Sequence, residues 1–305
     1  LPLQTHTILM EVKMFRDLQT RLLVLLILFA VIPALVLGIS LGIYSASSAR
    51  QGVEDTLNAI ATIKENQVNQ WVAGVHTALE SEIQRDVDAQ RLPVLLGLVI
   101  TSPSAYTTAY NDQIRLFNTT IAANTDIVEI FLINPSGIIV ASTKPSQEGK
   151  SFAFFDIFRQ GLQAPSQIAP DYDFTAEQIT TQFARPVKDI SGRTIGVLAA
   201  RANLRTLNAQ MQERIGMGET GETYLVSKNL TFLSQTRMAG NIVGEDYSRT
   251  EGAQQAAFYQ ESGVAAYLNY AGIPVIGSYR WLPTLQVVLL AEQEQSEALA
   301  AANLI

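Results

Sequence analysis

Asp171, Asp173 and Glu177 alternate like the first ligands of a calcium loop, and paired carboxylates of this kind could also serve as an acid and a base. The rest of such a loop is missing. Its sixth position, which needs glycine for the turn, is Ala176, and its twelfth, which needs a bidentate acid, is Gln182. Gly216, Gly218 and Gly221 fit G-x-G-x-x-G, but they leave a predicted helix and enter a predicted strand. A dinucleotide turn needs the reverse order, so that a helix N-terminus meets the pyrophosphate. His6 and His76 each stand alone, without a triad or metal cluster around them, and are read as surface residues. Cysteine is absent, which removes disulfides, thiolate zinc sites and cysteine nucleophiles. The expectation is a chain with no catalytic residues, no metal and no cofactor; a hydrolase built on Asp171 and Asp173 is the enzyme alternative.

The elements that position these residues begin with a span. Leu22 to Tyr44 is 23 residues without a charge, about 34 Å of helix against roughly 30 Å of bilayer hydrocarbon. It is longer than the apolar core of a cleaved signal peptide, and Pro33 inside it is tolerable in a membrane helix at the cost of a kink. Lys13, Arg16 and Arg21 precede the span, so the positive-inside rule places the N-terminus in the cytoplasm and everything after Ser45 outside. Of the whole-chain net charge of -7, the part beyond the span carries 18 basic and 26 acidic residues, or -8. The basic residues are scattered, which argues against a nucleic acid partner.

Past the membrane, Val53, Leu57, Ile60, Val68, Val72, Val75, Leu79, Ile83 and Val87 form a helical stripe, predicted to break near Pro93. A stripe this long packs on the globular part or on a second copy, so a homodimer through the stalk helix is expected. Ser102 and Pro103 suit the start of a second helix with Tyr106, Tyr110, Ile114, Phe117 and Ile121 on one face. Strands then follow at Ile127 to Ile133 and Ile138 to Ser142 around Asn134-Pro-Ser-Gly, and at Gln178 to Pro186 and Thr194 to Ala202 around Asp189-Ile-Ser-Gly. Leu204 to Arg214 reads as a helix. The order recurs: Glu222-Thr-Tyr-Leu-Val-Ser echoes Glu129-Ile-Phe-Leu-Ile-Asn, and Leu285 to Gln293 leads into a helix from Ser296 to Leu304. The fold class is α+β, with two antiparallel sheets flanked by helices.

Together with "FARPVKDISGRTIGVLAARANL", the connector "GMGETGETYLV" and "GSYRWLP", this order resembles the double Cache sensor domain of bacterial transmembrane receptors, two PAS-like modules on one long helix. The resemblance implies a cytoplasmic N-terminus at 1–21, a transmembrane helix at 22–44, stalk and packing helices at 45–125, a membrane-distal module at 126–215, a membrane-proximal module at 216–293 and an exit helix at 294–305. It implies small-molecule sensing at the inner membrane by the input domain of a sensor histidine kinase. A chemotaxis receptor, a cyclic-nucleotide enzyme and a non-sensing stalked scaffold are the alternatives. The apolar stretch at 298–305 reads as the approach to a second membrane helix, beyond which an output domain is expected. Ligand-binding residues carried over are Phe155, Phe158, Tyr172, Asp173 and Phe183. Double Cache receptors for amino acids clamp the ligand carboxylate with an arginine on the helix after the first hairpin, where this chain has Phe155, Ile157 and Phe158. With Asp173 read as an unpaired acid among aromatic rings, the expected ligand is an amine, held by charge and by about 0.5 to 2 kcal/mol of cation–π attraction. An uncharged apolar ligand is the alternative, with Asp173 only capping a turn.

Overall fold

A computed structural model of the chain describes residues 18–86, 90–173, 177–238, 240 and 242–300. Its first helix, α1, is Leu18–Asp86 and contains Pro33. The chain divides at Gly52 into two units: one holds the N-terminal part of α1, and the other is Val53–Ala298. In the first unit Leu22, Phe29, Leu37 and Tyr44 are all more than half exposed. That helix is long and apolar enough to cross a membrane.

In the second unit the stripe of α1 is spent on the sheets. Leu57, Val68, Val72, Val75 and Leu79 are buried in one core with Ile130, Phe183 and Leu198 of the first sheet and Leu225 and Leu289 of the second. Val87 lies outside the described residues. The expected break at Pro93 is displaced: α1 ends at Asp86, and Pro93 lies inside α2, Arg91–Leu95. The Asp86 carboxylate accepts the backbone N–H of Arg91 (2.9 Å) and Leu92 (2.8 Å), starting a new helix. Proline in a first turn has no i−4 hydrogen bond to lose, so Pro93 is accommodated there. Next comes α3, Pro103–Ala123, with Ser102 as N-cap accepting from the Ala105 N–H. Its Phe117 is buried, and Tyr110, Ile114 and Ile121 pack beside it.

The first sheet comprises β1 (Ile127–Ile133), β2 (Ile139–Ser142), β3 (Ser166–Gln167), β4 (Asp171–Asp173), β5 (Gln178–Lys188) and β6 (Thr194–Asn203), with α4 (Asp156–Gly161) before β3 and α5 (Arg205–Gln212) after β6. The second comprises β7 (Glu222–Ser227), β8 (Gly263–Leu268), β9 (Pro274–Leu282) and β10 (Val287–Glu294), with α6 (Glu251–Tyr259) before β8 and α7 (Gln295–Ala298) at the end. The strand orders are β2-β1-β6-β5-β3, with β4 beside β5, and β7-β10-β9-β8. Every named pairing is antiparallel. The path β1-β6-β5 therefore recurs as β7-β10-β9, the internal order expected from the echo of Glu129 in Glu222.

Because side chains alternate across a strand, each sheet has an inner face toward α1 and an outer face. Outer residues of the first sheet, Phe131, Ala184, Val197 and Ala199, cluster with Ile157 and Phe158 of α4. Outer residues of the second, Tyr224, Val226, Val288 and Leu290, cluster with Ala253, Ala256 and Ala257 of α6. Two turns set the registers. Asn134 Oδ1 accepts from the N–H of Ser136 and Ile138, Asp189 Oδ1 accepts from Ser191 and Arg193, and Gly137 and Gly192 take φ near +80°. On the inner face Arg280 of β9 clamps α1, donating to Glu65 Oε2 at 2.6 Å and to Asn58 and Thr62.

Candidate functional site

The polar end of the first sheet's outer face is built by five strands. Glu129 of β1 stands directly opposite Arg201 of β6, and Gln182 of β5 is opposite Arg201 on its other side. Asp173 of β4 pairs with Gln178, four residues along β5 from Gln182, and so shares this face. Arg201 donates to the Asp173 carboxylate, and its Nε lies 3.5 Å from Glu129 Oε2. Ser142 of β2 donates to Glu129 Oε1 at 2.9 Å. Glu129 is 1% exposed. One guanidinium thus faces two carboxylates, a formal charge of -1 in a site largely removed from water.

Hydrogen bonding inside this cluster is incomplete. Glu129 Oε2, Arg201 Nε and Gln182 Oε1 are buried without a hydrogen-bond partner among the described residues. Such atoms are uncommon in native interiors, because each costs roughly 1 to 3 kcal/mol of desolvation. Beside them on the same face begin the rings of Phe131, Phe152 and Phe158, the first two 5.3 Å apart.

The five residues singled out from the sequence are divided between the two faces. Phe158 is buried in the outer cluster, and Phe155 is half exposed at its rim, its ring 4.8 Å from that of Phe152. Asp173 is on the same face but is not an unpaired acid: Arg201 neutralises it, because β6 brings an arginine 28 residues away in sequence into contact. Phe183 and Tyr172 belong to the inner face. Phe183 is fully buried against Trp71 and His76 of α1, with ring centroids 5.6 and 5.2 Å away. Tyr172 lines a cavity of about 270 Å³ with Ile179, Asn203, Leu233 and Val243, and a methyl added at Gly244 would fall 2.6 Å from its ring. Glu129, Arg201 and Gln182 escaped sequence reasoning; the one available signal was the charge of Glu129 and Arg201 within otherwise apolar strands.

Two further motifs find their place. His76 is not a surface residue: it is half buried, bonded to Gln167 at 2.9 Å, and burial lowers its pKa. His6 lies outside the described residues. The G-x-G-x-x-G loop is a nest for a carboxylate of the chain itself, since the N–H groups of Glu219 and Thr220 each donate to Glu297 of α7 at 2.8 Å. A bond from the Thr220 hydroxyl first, and these two backbone bonds after it, lower the Glu297 carboxyl to about 2.

The architecture has relatives among solved structures. The ligand-binding domain of the Pseudomonas aeruginosa PAO1 amino acid chemoreceptor PctC, in complex with GABA, is 17% identical with a TM-score of 0.55, covering 79% of this chain and 99% of that one. The ligand-binding domain of the Campylobacter jejuni chemoreceptor Tlp3, in complex with 4-methylisoleucine, is 10% identical with a TM-score of 0.61, covering 82% and 94%. An extracellular domain ascribed to a histidine kinase, rpHK1S-Z16, is 12% identical with a TM-score of 0.58, covering 82% and 97%. At these identities the likeness is one of fold. No curated protein matches the sequence. Residues 45–302 match the family model of the Cache domain, well over half of the chain, and the protein belongs to the Cache family of ligand-binding sensor domains found in chemoreceptors and histidine kinases.

Proposed function

We propose that this chain is the extracytoplasmic input of a sensor histidine kinase, held in the inner membrane through Leu22 to Tyr44, and that its distal module recognises an amine on the outer face of the first sheet. The observation that carries the ligand class is the buried cluster of Glu129, Arg201, Gln182 and Asp173, with its formal charge of -1 and three polar atoms lacking partners among the described residues. An ammonium group satisfies that charge; a free carboxylate would meet two acids and one committed guanidinium. Phe158 and Phe155 extend the site with ring faces suited to a cation or its alkyl chain. Tyr172 and Phe183 act from the opposite face, by holding β4 and β5 in place. A homodimer would use faces of α1 other than the stripe buried on the sheets. The chemotaxis-receptor reading stands as the second, supported by the fold shared with PctC and Tlp3.

Calorimetric titration of the full chain in lipid nanodiscs tests the ligand class. Primary amines are expected to bind more tightly than free amino acids. Asp173→Asn should weaken amine binding about 10- to 150-fold, corresponding to the roughly 1.5 to 3 kcal/mol of a charged hydrogen bond. Tight binding of an unmodified amino acid, with Asp173→Asn harmless, would refute the amine assignment.

A further inference from the structure

Glu222 and Glu292 stand directly opposite each other in the register of β7 and β10, on the outer face, 4% and 1% exposed. Directly opposed side chains have Cβ atoms about 4.5 to 5.5 Å apart, and two ionised carboxylates at that distance in a dry site repel strongly. Their compensation is one-sided. Glu222 accepts from the Arg237 backbone N–H at 2.8 Å and from the Tyr270 hydroxyl at 2.9 Å, with Arg237 and Arg214 as its nearest positive charges. Glu292 Oε1 accepts from the hydroxyls of Tyr224 and Tyr267, each at 2.9 Å, while its Oε2 is buried without a hydrogen-bond partner among the described residues.

Among the described residues, the surroundings of Glu292 supply no cation. From β7 it meets Glu222 and Tyr224, and from β8 Tyr267. Behind Tyr267 lie Tyr279 of β9 and Glu251 of α6, and behind Tyr224 lies Ser248. Arg237 is engaged by Glu294 at 2.7 Å. The space is also closed, because the Tyr267 phenol fills it: methyls added at Gly252 and Gly277 would fall 2.8 and 2.1 Å from its oxygen. Burial first, and the charge of Glu222 second, raise the Glu292 carboxyl to about 8, with the two tyrosine hydroxyls pulling the other way; burial raises Glu222 as well. A neutral acid is far cheaper here than an anion.

We propose that Glu292, facing Glu222 in this closed site, retains a proton, and that its loss parts β7 from β10 and makes the second module a sensor of proton activity in the compartment it faces. The strand that would move leads directly to the end of the module: two residues after Glu292, Glu294 pairs with Arg237, and Glu297 of α7 follows in the connector nest.

The sign follows from linkage. In the closed state Glu292 titrates near 8, and in an opened state it returns to the ordinary value of 4.5, so the closed state binds the proton over that interval. The opening constant should therefore rise about tenfold per pH unit between about pH 5 and pH 8, and level off above. Amide hydrogen exchange of β7 and β10 in the full chain in nanodiscs, corrected for intrinsic exchange, measures it. Glu292→Gln should abolish the slope, and Glu222→Gln should move its upper end to lower pH. Difference infrared spectra should show a protonated carboxyl in the wild type at neutral pH that disappears at alkaline pH. A flat wild-type profile, a slope surviving in Glu292→Gln, or the absence of that carboxyl band would overturn the proposal. The wild-type spectrum and Glu222→Gln decide it even if Glu292→Gln does not fold.

Discussion

The two sheets repeat one strand path, β1-β6-β5 and β7-β10-β9, yet they solve the same electrostatic problem differently. At corresponding places the first sets Glu129 opposite Arg201, and the second sets Glu222 opposite Glu292. In the first, one guanidinium faces two carboxylates, and Glu129 Oε2, Arg201 Nε and Gln182 Oε1 are left without partners among the described residues. In the second, no cation among the described residues meets Glu292, and tyrosines close around it. A duplicated scaffold thus retains a buried polar pair while the sign of one partner decides between an ion-paired site and a proton-holding one. Buried charge survives only when paired; otherwise the group neutralises itself.

The largest way to break this contrast is to remove the guanidinium. Arg201→Met leaves Glu129 and Asp173 buried without this cation, and urea unfolding should show a loss of about 3 to 5 kcal/mol. The corresponding blow to the second sheet is smaller and steric. Gly277 lies opposite Glu292 as Gln182 lies opposite Arg201, but its missing side chain is the space that Tyr267 occupies. Gly277→Ala should cost about 1 to 3 kcal/mol in the same assay through overpacking and displacement of a donor from Glu292.

The smallest effect concerns Glu297, whose carboxyl is lowered where that of Glu292 is raised. A lowered acid contributes stability above its ordinary value of 4.5 and loses it as pH falls toward about 2. Because the group is partly exposed, the contribution is under about 1 kcal/mol. Glu297→Gln should flatten the fall of Tm between about pH 5 and pH 2 without altering the alkaline behaviour assigned to Glu292.

Local rules made much of the fold legible. The uncharged run from Leu22, the stripe from Val53 to Ile83, the Ser102 cap and the Asn134 and Asp189 turns all depend on neighbours within a few residues, and the structure has them where spacing and residue type placed them. One departure among the helices, at Pro93, arose because Asp86 caps a helix beginning five residues later, a contact that periodicity does not register; another is the helix expected from Ser296 to Leu304, whose described helical residues are Gln295–Ala298.

The candidate site was less legible. Phe155, Phe158, Tyr172, Asp173 and Phe183 are close in sequence and aromatic or acidic, but alternation along β4 and β5 sends Tyr172 and Phe183 to the face that α1 covers. Sequence alone determined the anchor-length helix, the α+β class, the repeated order of strands and the charge of each residue. Tertiary structure alone decided which charges meet, because Glu129 and Arg201 are 72 residues apart and Glu222 and Glu292 are 70 apart, joined only by strand register. Burial then made those meetings matter, since a pair that water would screen at the surface is decisive in the dry interior.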